Sequence, residues 1–212
     1  MNDFLQAPNI ERLPPSPLLE RFLFEQPLLP VIVLGLLAAV AMVAFSRRGQ
    51  KKRGIAVAGV LAAVAGAVYL AATMVTTTRE TLLERTRELI GATARADTGA
   101  VRAMLTDDAS LNTSGDIRRA VPPIDDVGAL LDGVDQYLGR EYRLSSWEIL
   151  DQQATVDGPN VARTLVRVGV DGDVFSRTHY SWWRLHWTLG ADGQWRCFEI
   201  EPRWIQFVGS AD

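Results

Sequence analysis

The residue types that could do acid–base chemistry gather near the C-terminus. His179 and His186 stand seven residues apart in one strand-like run. An odd spacing sends them to opposite faces of a regular strand, so a two-histidine metal site is not expected. The alternate set Phe175, Arg177, His179, Ser181, Trp183, Leu185, Trp187 and Leu189 is the more apolar one and is assigned to a concave, helix-facing side. Arg177 and His179 then lie toward its mouth. In the next run Trp195, Cys197, Glu199 and Glu201 share a face. If that face is concave too, Glu199 or Glu201 pairs with Arg177 or His179. A carboxylate beside an imidazole is an acid/base pair. It is equally a structural ion pair at a pocket rim, and that reading is preferred. Arg177, His179, Trp183, Glu199 and Glu201 are therefore pocket candidates, and no catalytic residue is assigned. Pro202 marks a position where a bulge would change the facing beyond it.

Trp147, Trp182, Trp183, Trp187, Trp195 and Trp204 all fall in strand-like runs. Most of them read as core and sheet packing. Adjacent Trp182 and Trp183 point to opposite faces, so one of them, with Tyr180 or Trp204, forms a candidate interaction patch.

Other chemistries find no support. There is no nucleotide loop, zinc signature or nucleophile elbow. The doublets Asp107-Asp108 and Asp125-Asp126 read as helix caps or solvated turns, since a Ca²⁺ loop needs more oxygen ligands at regular spacing. Neither a metal nor a cofactor is expected. Cys197 is the sole cysteine among 212 residues, which excludes an intramolecular disulfide. From Thr76 onward there are fifteen Arg, no Lys and twenty-one Asp plus Glu. That mildly acidic half shows no basic stripe for phosphates, so nucleic acid is not an expected partner.

The elements that position these residues follow from periodicity. Leu82, Leu83, Leu89, Ile90, Ala94, Val101 and Leu105 recur near helical spacing, giving a helical stretch from about Arg79 to Leu105. Asp107 to Ile117 is polar and turn-rich. A second helix is expected over Asp125 to Leu138, with Val127, Leu130, Leu131, Val134 and Leu138 as its apolar stripe. Strand-like runs follow at Tyr142–Leu150, Val161–Val170, Val174–Leu189 and Trp195–Val208, separated by Gly- and Asp-rich turns. Helices first and strands after predict an α+β fold, with helices packed on a curved antiparallel sheet.

At the end of the first helix, Ala94-Arg95-Ala96-Asp97-Thr98-Gly99-Ala100-Val101-Arg102-Ala103-Met104-Leu105 runs into Thr106-Asp107-Asp108-Ala109-Ser110-Leu111. Near the C-terminus stands Asp192-Gly193-Gln194-Trp195-Arg196-Cys197. Together these resemble the long first helix, acidic turn and last hairpin of nuclear transport factor 2-like domains, also called SnoaL-like or cystatin-like. The resemblance covers roughly Thr76 to Val208. It implies a cone with a pocket between helices and curved sheet. The family holds isomerases, dehydratases and cyclases as well as non-catalytic binding modules, some of them membrane-tethered. Its enzymes place an Asp and a His or Tyr in the pocket, and no position here matches such a motif.

Upstream lie two long apolar runs. Leu28 to Phe45 and Ile55 to Val75 carry no charge. At a rise of about 1.5 Å per residue each crosses a hydrocarbon core of roughly 30 Å. Between them, Arg47, Arg48, Lys51, Lys52 and Arg53 are unopposed by any acid. The positive-inside rule then keeps that loop in the cytoplasm and puts both termini outside. Neither span holds an ionisable group, so they read as an anchor and not as a transport pathway. Ala58, Ala62 and Gly66, and Gly59, Ala63, Ala67 and Ala71, offer two small-residue faces for close helix approach, matched by Gly35 and Ala39 in the first span. The leading arm, with Pro14, Pro15 and Pro17, is expected to be irregular, and Leu18, Leu19, Phe22, Leu23 and Phe24 to lie on the bilayer surface.

The organisation is then an arm over 1–26, a span over 27–45, a basic loop over 46–54, a span over 55–75 and a soluble domain over 76–212. The functional expectation is an interaction or assembly module without catalytic activity, tethered to the cytoplasmic membrane with its domain in a bacterial periplasm. Its partners are the bilayer and either another protein or itself. The alternative is a small-molecule-binding pocket, with or without isomerase- or hydrolase-like activity. An open interior lined by His179 and a carboxylate favours the pocket, whereas an interior filled by Trp and Leu favours the module.

Overall fold

The computed structural model describes residues 10–15, 28–74, 77–172 and 177–210. The chain divides into two units, one of residues 15–77 and one joining residues 1–14 to 78–212.

The first unit is a helical hairpin. Helix α1 covers Leu28–Arg47 and α2 covers Lys51–Met74. Both are long and apolar enough to be candidate membrane spans, with mean hydropathies of 2.8 and 1.8. None of the first span and 11% of the second is buried, so neither is shaped like the core helix of a soluble protein. Arg47, Arg48, Lys51, Lys52 and Arg53 sit exposed at the turn joining them. There Gly49 takes a φ of 74° and its N–H donates to the Ser46 carbonyl. The two expected small-residue faces are not the packing face. Gly35, Gly59 and Gly66 have open space where a side chain would stand. The least exposed stripe of α2 is Gly54, Ala58, Leu61, Ala65 and Val68, and a Cβ on Gly54 would meet Phe45 Cβ at 3.0 Å. Ala58 lies on both stripes, but the register slides off Ala62 and Gly66 because the short turn forces closest approach at Gly54.

The second unit is α+β, with helices leading into a curved, open, mixed sheet. Helix α3 covers Thr78–Ala94 and α4 covers Thr98–Met104. The single stretch expected there breaks at Ala96, whose φ is 52°, and α4 restarts on Asp97, whose carboxylate accepts from the Ala100 N–H at 3.0 Å. Strand β1 (Leu105–Leu111), short helices α5 (Ile117–Ala120) and α6 (Val127–Gly133), and a π-helical stretch α7 (Val134–Glu141) follow. The sheet is completed by β2 (Leu144–Gly158), β3 (Val161–Gly172), β4 (His179–Leu189), β5 (Trp195–Ile205) and β6 (Gly209–Ser210).

Strand order is β1-β5-β4-β3-β2, with β6 on β5. The β2–β3, β3–β4 and β4–β5 pairs are antiparallel, as expected, while β1 runs parallel to β5. The region 107–111 was expected as polar turn. Leu105, Ala109 and Leu111 of β1 face the core, but the alternation is broken by exposed Asp107 and the run is otherwise polar, so it carries no readable strand signal.

The core lies between the concave sheet face and the helices. Leu82 and Leu89 of α3 meet Ala162, Leu185, Trp187 and Cys197 of the sheet. Gly91 lets the Trp147 ring reach α3, since a Cβ there would stand 3.0 Å from Trp147 Cζ2.

Candidate functional site

The concave interior is filled. Trp187 and Leu185 are 0% and 2% exposed, and they pack with Leu82, Leu89, Val101 and Leu105. The polar groups inside are satisfied by one another. The Trp187 indole N–H donates to the Thr164 hydroxyl at 2.9 Å. The Thr86 and Thr164 hydroxyls are 2.9 Å apart, and Thr86 donates to the Leu82 carbonyl at 2.8 Å. Each proton has an acceptor, so this relay stabilises the core and leaves no donor for a ligand. Two open depressions of about 420 and 380 Å³ lie elsewhere, one along β2 beside Arg87 and Trp147, the other between α4 and α6 beside Asp132 and Asp135. Cys197 is buried in the same interior, and burial pushes its thiol up to about 12.

The pocket candidates do not meet around a cavity. Arg177 places its guanidinium 4.7 Å from the Phe207 ring centre, and the His179 ring lies 5.3 Å from that same ring. Trp183 donates its indole N–H to the Ser181 hydroxyl at 2.7 Å. Glu199 accepts from the Asn112 amide at 2.7 Å. Glu199 and Glu201 both lie on the other, convex side of the sheet. The reason is a bulge in β5: His186 pairs with Glu199 and Trp187 with Cys197, so Phe198 is an extra residue. Trp195 and Cys197 therefore face the core, while Glu199 opposes His186 and Glu201 opposes Arg184 on the convex face. A second bulge at Arg203 realigns Trp204 with Trp182. The expected bulge near Pro202 thus occurs beside it, but the one that decides the facing comes earlier.

The charged chemistry of the sheet is concentrated on this convex face. Glu201 receives Arg203 Nη1 at 2.8 Å, Arg184 Nη1 at 3.5 Å and His186 Nε2 at 3.7 Å. Its side chain is only 17% exposed. The neighbouring His186, then Arg203 and Arg184, hold its carboxyl down at about 2 against the opposing effect of burial. The His186 contact is longer than a hydrogen bond, so its effect is electrostatic, whereas Arg203 makes the close bond. On β3, Arg163 forms a two-pronged pair with Asp157, both contacts at 2.7 Å. Arg167 lies 5.1 Å over the Tyr180 ring. Gly169 makes room for that ring, because a Cβ there would stand 3.2 Å from it.

Tyr180, Trp182 and Trp204, the interaction-patch candidates, share this face. Trp182 opposes Trp204 across β4 and β5. Trp182 is not an open patch, however, being 8% exposed. The chain's own N-terminal arm covers it: Leu13, 8% exposed, packs with Leu165 and Trp182, and Ile10 and Trp204 flank them. The Leu13 N–H donates to Gln153 Oε1 at 3.1 Å, and Arg12 lies 3.8 Å from Asp151. Phe175 and the arm residues Leu18, Leu19, Phe22, Leu23 and Phe24 lie outside the described residues.

Sequence reasoning missed Arg184, Arg203 and Arg163, and it noted His186 without assigning it to a site. The even-numbered set of β4 (Tyr180, Trp182, Arg184, His186) was a readable signal, being the polar alternate to the core set. The role of Leu13 had no local signal, since it lies 140 residues from its partner Gln153. Among the described residues, no group of three or more His, Cys, Asp or Glu is placed to hold a metal ion.

Helices against a curved sheet define the class, and solved structures of that outline share it. The chain is similar to a nuclear transport factor 2-like protein of Cytophaga hutchinsonii, at 14% identity over 60% of this chain and 98% of that one, with a TM-score of 0.49. It is similar also to a ketosteroid isomerase-like protein of Erwinia carotovora atroseptica, at 15% identity over 60% and 96%, with a TM-score of 0.48. The association domain of C. elegans CaMKII gives 14% over 57% and 91%, with a TM-score of 0.47. These are likenesses of fold, and no activity passes from them to this chain. No protein-family model and no curated protein matches the sequence.

Proposed function

We propose that this protein is a membrane-tethered interaction module without catalytic activity, whose convex sheet face contacts protein. The observation that carries it is the division of chemistry between the two faces. The concave interior, where a ligand would enter a cone, is filled by Trp187, Leu185, Leu82 and Leu89 with its hydroxyls already paired. The convex face carries the cations, the aromatic pair and the covering arm. Burying aromatic and Arg side chains at the centre of a contact is how protein interfaces obtain most of their affinity.

The anchor is the α1–α2 hairpin, placed across the cytoplasmic membrane with the Arg47–Arg53 turn in the cytoplasm. Both termini and the folded domain then lie outside, in a periplasm for a bacterial host. The basic turn supports this orientation.

The test is photo-crosslinking in the host membrane. A benzophenone amino acid at Val161, exposed on the convex side of β3, is expected to trap protein adducts, and one at Asp132, within α6, is not. Adducts at neither position, with a melting temperature raised by one class of small metabolite, would replace this reading with a ligand-binding pocket.

A further inference from the structure

The convex face holds more donors than it satisfies. Arg167 Nε, Trp182 Nε1, Arg184 Nε and His186 Nε2 are buried and have no hydrogen-bond partner among the described residues. They lie side by side, because Arg167 pairs with Trp182 across β3 and β4, and Arg184 and His186 follow Trp182 on the same face. A buried donor left unsatisfied is costly, and a cluster of them calls for an acceptor oxygen, best supplied by a carboxylate. Fixed charge on the face is level, with Arg163, Arg167, Arg184 and Arg203 against Asp151, Asp157, Glu199 and Glu201, so what the donors lack is an acceptor atom and not a net negative charge.

The arm shows what kind of segment fits. Ile10, Glu11, Arg12 and Leu13 lie without helix or strand structure on this face. Leu13 fills the apolar seat on Leu165 and Trp182, and Ile10 flanks it. Arg12 reaches Asp151 and the Leu13 N–H reaches Gln153. Glu11 acts on Arg163, adding to the larger effect of Asp157 that keeps this guanidinium charged. Among the described residues the arm is held by the Leu13 N–H to Gln153, the Arg12–Asp151 ion pair at 3.8 Å, and the apolar side chains of Ile10 and Leu13.

We infer that the convex face is a groove for an extended peptide of a protein partner that repeats the arm's pattern, two apolar residues with a carboxylate between them, and that Ile10–Leu13 is its built-in occupant, displaced when the partner binds. The inference rests on the interaction reading above and names the partner's chemistry. A tethered occupant acts at an effective concentration on the order of mM, so it screens the aromatic seat from weak partners and yields to a tighter one.

The experiment uses the full chain in detergent and a fluorescein-labelled peptide of its own residues 8–15, followed by anisotropy. Removal of residues 1–14, or Leu13→Asp in the full chain, is expected to tighten peptide binding at least tenfold over the unaltered protein. Glu11→Lys in the peptide is expected to lose that gain. Protection of the Cys197 thiol reports that each variant is folded. Equal binding by all three proteins, with Cys197 protected, overturns the inference. A rise in oligomer mass on removing the arm, without peptide binding, also overturns it by making the face a contact between copies. In that case the interaction module itself stands, whereas an empty crosslinking result at Val161 removes both.

Discussion

At the scale of single residues, Glu201 has the most measurable consequence. Its carboxyl sits at about 2 in the folded chain against an ordinary 4.5. A depressed pKa favours folding above the unfolded value and loses that contribution as pH falls through the folded one. The protein is therefore expected to lose stability between pH 4.5 and 2 through this group. Glu201→Gln is expected to destabilise at pH 7 by roughly 1–3 kcal/mol, because it leaves Arg184 and Arg203 short of a partner. It should also flatten the acid limb. Melting temperatures of both proteins across this range check the sign, and a variant as acid-sensitive as the parent would refute the assignment. Cys197 is a second probe. Buried, with its thiol raised to about 12, it is expected to resist iodoacetamide until the domain unfolds, so labelling should track the global transition and not local fraying.

At the scale of elements, the filled interior depends on Trp187 bridging β4 to α3 through Thr164 and Thr86. Trp187→Ala is expected to cost about 3–5 kcal/mol, read by denaturant melts, since it opens a large cavity and removes the donor from a buried hydroxyl chain. Thermal shift by small aromatic compounds in that variant alone would show the parent's cone is closed by this one side chain. The seam between α3 and β2 is as tight at Gly91. Gly91→Val is expected to displace Trp147 and lower the melting temperature, because the ring already stands 3.0 Å from where the first carbon would go. Periodicity revealed the helices, the antiparallel strands and the core set of β4, because one buried face leaves a regular mark on the chain. The Phe198 bulge left no such mark. One extra residue in β5 reversed the facing of Glu199 and Glu201, and with it the expected partners.

For the whole molecule, the α1–α2 hairpin makes the prediction. The chain is expected to remain in the membrane pellet after alkaline carbonate washing. Cysteines introduced at Ser46, in the basic turn, and at Gly158, where a side chain meets open space, separate the two sides. An impermeant maleimide is expected to label Gly158→Cys in intact cells and Ser46→Cys only after permeabilisation, with buried Cys197 silent in both. The reverse pattern would turn the protein over. By itself, the amino-acid sequence determined the two apolar spans, the basic turn, the order of helices before strands and the apolar face of β4. These follow from composition and period, which act over a few neighbouring residues. Only the tertiary structure decided that β1 is a strand, that the cone is filled, that Glu201 faces outward and that Leu13 covers Trp182. Those depend on a bulge and on contacts between residues far apart in the chain, which no local pattern encodes.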